Sequence, residues 1–363
     1  MNLKSAPWSV FSKDKNEEIL KILEILGQAR LVGGCVRDFI LYNKLANDID
    51  IATPFKPEEV MAMLKPYFKV LPTGIKHGTV TVVGQQNYEI TTLRKDVETD
   101  GRFAVVEFDA SWQEDSNRRD FTMNSLYSDS QGNLYDYHNG AEDLEKKYVS
   151  FIGNARKRIE EDYLRILRFF RFSSRFGGFS HDNLEAVYDL KSGLLQISKE
   201  RITKEVLKIL EGAFFIKIWE FIKPIFVVLN LKPEVDFKNW EKLSSLAKLA
   251  KFYQDDSLLR LSNKEKKYIE NIQSKSFYSK RSVITAYNDF GKDFVEDKFL
   301  FDDVFFNDYE KIFPIKGGDL LNLGIQGSQI STTLKRIMKI WAREDGKLQK
   351  SDLLDLALKI KEA

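Results

Sequence analysis

The chain has 363 residues but only one cysteine and three histidines. A single thiol, Cys35, cannot form an intramolecular disulfide, and with only His77, His138 and His181 beside it there is no credible Cys/His zinc site. A reducing compartment is the simplest inference, and a cytoplasmic location is expected. Long apolar runs are also missing. The run 214–228 comes closest to a membrane span, yet Lys217, Glu220 and Lys223 interrupt it, so no membrane partner is expected. The opening Met1-Asn2-Leu3-Lys4-Ser5-Ala6-Pro7-Trp8 lacks the apolar core of a signal peptide and is too short for an Arg-rich transit sequence. Neither sign of charge dominates: 56 Lys+Arg against 54 Asp+Glu leave +2. Any nucleic-acid partner must therefore be held by a local basic surface and not by a global field. What is abundant is core-forming material, 43% hydrophobic and 13% aromatic, enough for two or three folded units.

Texture divides the chain. A helical stripe over 17–26 leads into a short strand over 29–32, and further short β-branched or aromatic segments follow at 68–71, 78–83, 88–93, 125–127 and 134–137. From about residue 141 the pattern is almost wholly helical, with helices expected over 160–176, 204–210, 219–229, 240–252, 263–273, 280–290 and 329–344. The fold class expected is α+β, a sheet-bearing head followed by an all-α remainder. No fixed-period repeat or low-complexity tract occurs.

The most informative stretch is Gly33-Gly34-Cys35-Val36-Arg37-Asp38, followed by Asp48-Ile49-Asp50-Ile51. Two glycines between a strand and a helix start let backbone N–H groups approach phosphates, and Arg37 offers a fork for an anion. In Asp-Ile-Asp-Ile the strand period of two places both acids on one face and both isoleucines on the other. Carboxylates about 6 to 7 Å apart along a strand suit a pair of Mg²⁺ ions that share their remaining positions with water and substrate phosphates. The plain alternative is a surface strand beside an ordinary turn; the two features together point to nucleotidyl transfer.

Two later motifs carry charge in useful patterns. Ser116-Asn117-Arg118-Arg119-Asp120-Phe121-Thr122-Met123-Asn124 sets two guanidinium groups and a carboxylate before a strand, suited either to phosphate and ribose or to a surface salt-bridge cluster. In Glu161-Asp162-Tyr163-Leu164-Arg165, continued by Arg168 and Arg171, one helix would put Asp162 and Arg165 on neighbouring positions of a face. A carboxylate beside a guanidinium offers acceptor and donor edges to cytosine or adenine; the alternative is an i, i+3 ion pair.

In this order the motifs strongly resemble those of class II tRNA nucleotidyltransferases, the CCA-adding enzymes of bacteria and eukaryotes, over about residues 25–212. Asp136-Tyr137-His138-Asn139-Gly140 with Asp143-Leu144 is similar to that family's hinge motif, and Ser198-Lys199-Glu200-Arg201-Ile202 with Glu205 to its last motif. The region 314–341, with Gly317-Gly318-Asp319, Gly324, Gly327 and the basic Lys335, Arg336, Lys339 and Arg343, resembles the tail that grips tRNA. The resemblance implies a DNA polymerase beta-like nucleotidyltransferase head over 1–140, a helical neck with base recognition over 141–215, and a helical body and tail binding tRNA over 216–363.

It also implies roles. Asp48 and Asp50 would be the catalytic metal ligands for two Mg²⁺ ions, with Glu89 a candidate third carboxylate. Gly33, Gly34 and Arg37 would form the triphosphate turn, and Arg119 with Asp120 would serve the sugar-phosphate side. Asp162 and Arg165 would read the base, and Arg168 with Arg171 would complete the nucleotide pocket. The partners implied are tRNA, CTP and ATP, with no nucleic-acid template. The segment 94–107, with Asp96 and Asp100-Gly101-Arg102, resembles the flexible loop of CCA- and A-adders, which disfavours CC addition. Thr73-Gly74-Ile75-Lys76-His77-Gly78-Thr79 stands where poly(A) polymerases carry a Gly-Arg-Arg-Phe-Arg-like signature. CCA addition therefore ranks first, A-only addition second and polyadenylation third, ahead of an inactive RNA-binding relative or a small-molecule nucleotidyltransferase. The sequence leaves the oligomeric state open.

Overall fold

In the computed structural model, which describes residues 13–43, 48–100, 103–274, 292–302, 313–344 and 347–362, the metal-acid motif forms an interior strand. Ile49 and Ile51 of β2 (Ile49–Thr53) are almost fully buried while Asp50 between them is exposed, the alternation expected of a strand with one packed face. The other strands are β1 (Arg30–Val32), β3 (Lys69–Gly74), β4 (Thr79–Val83), β5 (Asn87–Thr92), β6 (Arg94–Asp100), β7 (Phe103–Phe108), β8 (Leu126–Ser128) and β9 (Leu134–Asp136). Seven of them make one sheet in the order β3-β4-β5-β2-β1-β8-β9. Among the described residues only the β2–β5 pair of this sheet is parallel, and it sets Asp50 opposite Glu89.

The α+β expectation holds, and each predicted strand lies within a residue or a few of an observed one. The segment 94–107, expected as a loop, has its backbone paired as the separate hairpin β6–β7. The β-branched and aromatic Phe103-Ala104-Val105-Val106-Glu107-Phe108 run favours that pairing. The side chains of Asp96 and Asp100, and residues Gly101 and Arg102, lie outside the described residues.

Helices α1 (Lys13–Leu26), α2 (Gly34–Tyr42), α3 (Pro57–Leu64), α4 (Trp112–Asn117) and α5 (Gly140–Glu145) flank the strands. After them come α6 (Ala155–Glu161), α7 (Leu164–Phe176), α8 (Leu184–Asp189), α9 (Lys199–Leu210) and α10 (Phe215–Val228). One correction bears on function: the single helix expected over 160–176 is two. Asp162 has an extended backbone (φ −157°, ψ 104°), and its Oδ1 accepts the Leu164 N–H at 3.1 Å, satisfying one of the orphan donors at the start of α7. The apolar period runs across this break, so periodicity alone hides it.

Phenylalanines fix α7 against Phe121 and Phe151. Phe151 stacks on Phe169 with ring centroids 5.5 Å apart, and Phe121 meets Phe172 edge-on, also at 5.5 Å. Phe121, Phe169 and Phe170 are fully buried, each contributing about 2 to 3 kcal/mol by area. Since Phe121 follows Asp120 in sequence, this packing also brings the Arg119-Asp120 pair to the arginine face of α7. Gly177, at φ 82°, ends the helix with its N–H on the Ser173 carbonyl, a left-handed cap that favours glycine.

The chain divides into two compact units, Met1–Leu229 and Asn230–Ala363. In the second, the stretch expected as one helix over 240–252 is a 3₁₀ turn (Trp240–Lys242) followed by a helix (Ser245–Phe252). Ser244 starts that helix anew by accepting the Ala247 N–H. The helix Asn263–Gln273 matches the sequence expectation, whereas the one expected over 280–290 lies outside the described residues. Near the end, Gly317–Asn322, Ser328–Arg343 and Lys350–Glu362 enclose a core that includes Leu320, Ile337, Trp341 and Leu353. The glycine-led start at Gly317 is closed by its own Asp319, which accepts the Lys316 N–H at 2.7 Å and pairs with Lys350 at 2.6 Å. Arg336 is exposed; the side chains of Lys335, Lys339 and Arg343 lie outside the described residues.

Candidate active site

A cleft of about 550 Å³ opens within the first unit, lined by Gly33, Gly34, Arg37, Asp48, Asp50, Arg119, Asp120, Asp162, Arg165, Arg168 and Arg171, whereas Glu89, the candidate third carboxylate, is not among its lining residues. Positions more than a hundred residues apart thus line one cleft.

At one end stands the start of α2. Gly33 takes φ 74°, a region that favours glycine, and a Cβ placed on it would lie 3.5 Å from Arg119 Nη1. The N–H groups of the first turn of α2 and this guanidinium therefore converge, a combination that binds phosphate oxygens. Arg119 is held from behind, its Nε donating to Tyr127 Oη at 3.2 Å and its Nη2 to Asp115 Oδ2 at 3.1 Å.

Arg37 behaves differently from the open fork the sequence suggests. It is buried, with Nε and Nη2 both 2.8 Å from Asp38 Oδ1 and Nη1 2.5 Å from Asn124 Oδ1. A guanidinium taken out of water needs its counter-charge at hand, so Arg37 braces the turn with part of its donor set already spent.

On the strand side, Asp48 and Asp50 face the cleft. Although the Asp50 side chain is open to the cleft, the protein surrounding it removes part of its hydration and raises its pKa; Glu89 and Asp48 push the same way, and Arg119 opposes them. The negative charge gathered beside Asp50 is a surplus that a divalent cation would balance, and an all-oxygen donor set suits a hard ion. Among the described residues no group of three or more His, Cys, Asp or Glu side chains is placed to hold a metal ion.

The arginine face of α7 supplies the remaining wall. Asp120 accepts from Arg168, at 2.7 Å from Nε and 2.5 Å from Nη2, and from Asn124 Nδ2 at 3.0 Å. Burial works to raise its pKa, but Arg168 and these hydrogen bonds outweigh that and hold it at about 2. The oxygens expected for ribose are thus occupied in tying Arg168 in place. Arg171 forks onto Glu205 of α9 at 3.0 and 3.1 Å.

Asp162 and Arg165 come together in the cleft, though not as an i, i+3 helical pair, because α7 begins after Asp162. Asp162 Oδ2 instead accepts from Arg201 Nη2 at 2.7 Å. Arg165 bonds the Glu161 carboxylate and, at 2.7 Å, the Arg158 carbonyl. Each keeps polar capacity toward the cleft while its orientation is fixed from behind. Sequence reasoning gave no role to Arg201, Asn124, Asp38 or Phe172, all of which line the cleft. Arg201 and Asn124 lie inside motifs already noticed, and that was the available signal.

Known proteins resemble this chain over most of its length. A family model described as the Poly A polymerase head domain matches residues 29–150. Human "CCA tRNA nucleotidyltransferase 1, mitochondrial" (Homo sapiens) is 34% identical over 372 aligned positions, spanning 90% of this chain and 86% of that protein. The "CCA-adding enzyme" of Oceanobacillus iheyensis is 45% identical over 195 positions, spanning 53% and 48%. Among solved structures, the Bacillus stearothermophilus CCA-adding enzyme in complex with CTP has a TM-score of 0.66 at 25% identity, covering 96% of this chain and 98% of that one.

Proposed function

The chain belongs to the CCA tRNA nucleotidyltransferase family, and from that premise we propose that the cleft between β2, the start of α2 and the arginine face of α7 is where CTP and ATP are joined to the 3′ end of tRNA. The reaction needs no nucleic-acid template and releases pyrophosphate. The observation that carries this reading is the convergence, in a single cleft, of the Gly33-Gly34 turn, the Asp48 and Asp50 acids, and the Asp162 and Arg165 pair.

In this reading the triphosphate lies along the first turn of α2 and Arg119 Nη1, with Gly33 and Gly34 giving close backbone approach and Arg37 bracing the turn. Asp48 and Asp50, with Glu89 beside Asp50, would hold the divalent metal on which nucleotidyltransferases generally depend, and Mg²⁺ is the ion proposed. When bound, it makes the RNA 3′-hydroxyl a better nucleophile and offsets charge on the triphosphate. Asp162 accepts from the exocyclic amino group that cytosine and adenine share, and Arg165 donates to the neighbouring ring acceptor. Uracil and guanine present the opposite pattern at that edge, so one protein template admits two bases. Arg168 and Arg171, anchored by Asp120 and Glu205, line the remaining face of the nucleotide.

The same reading divides the chain into a nucleotidyltransferase head (1–140), a base-recognising neck (141–215) and a tRNA-binding body and tail (216–363). It also places the protein in the cytoplasm, supported by the lone buried Cys35. No helix of the described residues is long and apolar enough to cross a membrane.

The test is incubation with tRNA transcripts lacking the whole CCA end, lacking its last two nucleotides, or lacking only the final A, with CTP and ATP supplied singly and together. Completion of all three with both nucleotides is expected. Growth by A alone, confined to the CC-ended transcript, would replace CCA addition by A addition. Long A tracts on unrelated RNA would replace it by polyadenylation.

A further inference from the structure

Behind the cleft wall, on α4, Asp115 is 1% exposed and is not among the residues that line the cavity. Its two oxygens nevertheless gather the groups that shape that wall. Oδ1 accepts from Arg118 through Nε at 2.9 Å and Nη2 at 2.8 Å. Oδ2 accepts from Arg119 Nη2 at 3.1 Å and from Tyr127 Oη at 2.7 Å. Tyr127 closes a ring by accepting from Arg119 Nε at 3.2 Å. Two nitrogens of Arg119 are thereby fixed on a buried carboxylate and a phenol, and the third, Nη1, is the one that faces Gly33. Oδ1 also lies 3.4 Å from the backbone N–H of Arg94, the first residue of the β6–β7 hairpin. The same side chain is thus connected to the cleft arginine and to the root of the hairpin.

We propose that Asp115 is a positioning residue for nucleotide addition: through Arg119 it fixes the direction of the one guanidinium nitrogen that meets the triphosphate. The proposal rests on the reading that Arg119 is a nucleotide ligand. Geometry gives it weight, because a free arginine samples many rotamers and must lose that freedom on binding, whereas a guanidinium held at two of three nitrogens has lost it beforehand. The charge state is consistent. Burial acts to raise the Asp115 pKa, but Arg119 and Arg118 outweigh it and hold the carboxyl at about 2, so the anchor stays ionised at every pH at which the enzyme would work. Asp115 would touch neither substrate nor metal; its effect on rate would pass wholly through Arg119.

The test is a double-mutant cycle on the full chain, reading KM for ATP and kcat separately in the addition of the last A to a CC-ended tRNA. The variants are Asp115→Asn, Arg119→Ala and the pair, with Tyr127→Phe as a milder variant that removes a single hydroxyl from the ring. Asp115→Asn is expected to raise KM for ATP about tenfold, the size of one lost charge-assisted contact. Tyr127→Phe should raise it several-fold. In the Arg119→Ala background neither should add more than about twofold. Equal losses in both backgrounds, or unchanged KM in both single variants, would overturn the proposal. Should Asp115→Asn fail to fold, the Tyr127→Phe arm of the cycle decides it in the same way. If Arg119→Ala itself leaves KM for ATP unaltered, the failure lies in the reading of Arg119 as a nucleotide ligand.

Discussion

Asp120→Asn probes how far the cleft is built from buried charge. In the folded chain Asp120 is 9% exposed and has a pKa of about 2, because Arg168 and Asn124 overcome the cost of burial. An unfolded aspartate titrates at about 3.9, so ionised Asp120 is worth about 2 to 3 kcal/mol of stability relative to its neutral form, at roughly 1.4 kcal/mol per pH unit. Asparagine imitates the neutral form, and because the Arg168 side chain is 31% exposed water recovers part of the loss. The expected destabilisation at pH 7 is about 2 kcal/mol. The pH signature is more specific. A depressed carboxylate stabilises above its unfolded pKa, and that stability is lost as pH falls through the folded value, here between about 4 and 2. Near pH 3 the unfolded chain binds almost one more proton at this site than the native one, so the acid limb of stability against pH should be shallower in the variant by about 1 kcal/mol per pH unit. Cys35 supplies the readout, since it is the only thiol in the chain and is buried in the first unit. Its labelling by a pyridyl disulfide, which reacts with thiols at acid pH, reports the unfolding of that unit in urea. A loss below about 0.5 kcal/mol at pH 7, or an acid limb of unchanged slope, would refute the reasoning.

Two further outcomes follow from local geometry. A Cβ on Gly140 would lie 2.1 Å from the Thr122 carbonyl oxygen, which is backbone and cannot swing aside, so Gly140→Ala should destabilise by about 2 kcal/mol or more; thermal unfolding checks this. Arg201→Ala leaves Asp162 Oδ2 without its partner and should lower kcat/KM for CTP and ATP by about 10- to 100-fold, the worth of one charged hydrogen bond, with KM for tRNA unchanged in steady-state kinetics.

Much of this site was legible in the sequence because its chemistry is carried by residue types few other tasks require. Glycine at positive φ, alternating acids on a strand and a run of arginines at helical spacing each leave a local mark. What was not legible depends on long-range register. Nothing local to Glu89 says that β5 will run parallel to β2 and set it opposite Asp50. Nothing in the apolar period of 159–167 shows that Asp162 will turn the backbone and cap α7, since Ile159, Leu164, Ile166 and Leu167 read as one continuous stripe. Arg37 and Asp120 are of types that bind phosphate and ribose, so in sequence both look open to ligand. Burial decided otherwise, since each needed the counter-charge that Asp38 and Arg168 provide. Sequence shows which groups carry charge, and packing determines which of them are already paired.

The division of labour in the cleft, with transfer at Asp48 and Asp50 and base choice at Asp162 and Arg165, is tested most directly by comparing Asp48→Ala and Asp162→Ala for incorporation of each of CTP, ATP, UTP and GTP onto tRNA lacking its CCA end. Asp48→Ala should abolish incorporation of all four while CTP still binds. Asp162→Ala should retain slow transfer with its preference for C and A over U and G largely lost. Equal residual activity and unchanged nucleotide preference in both variants would contradict that division.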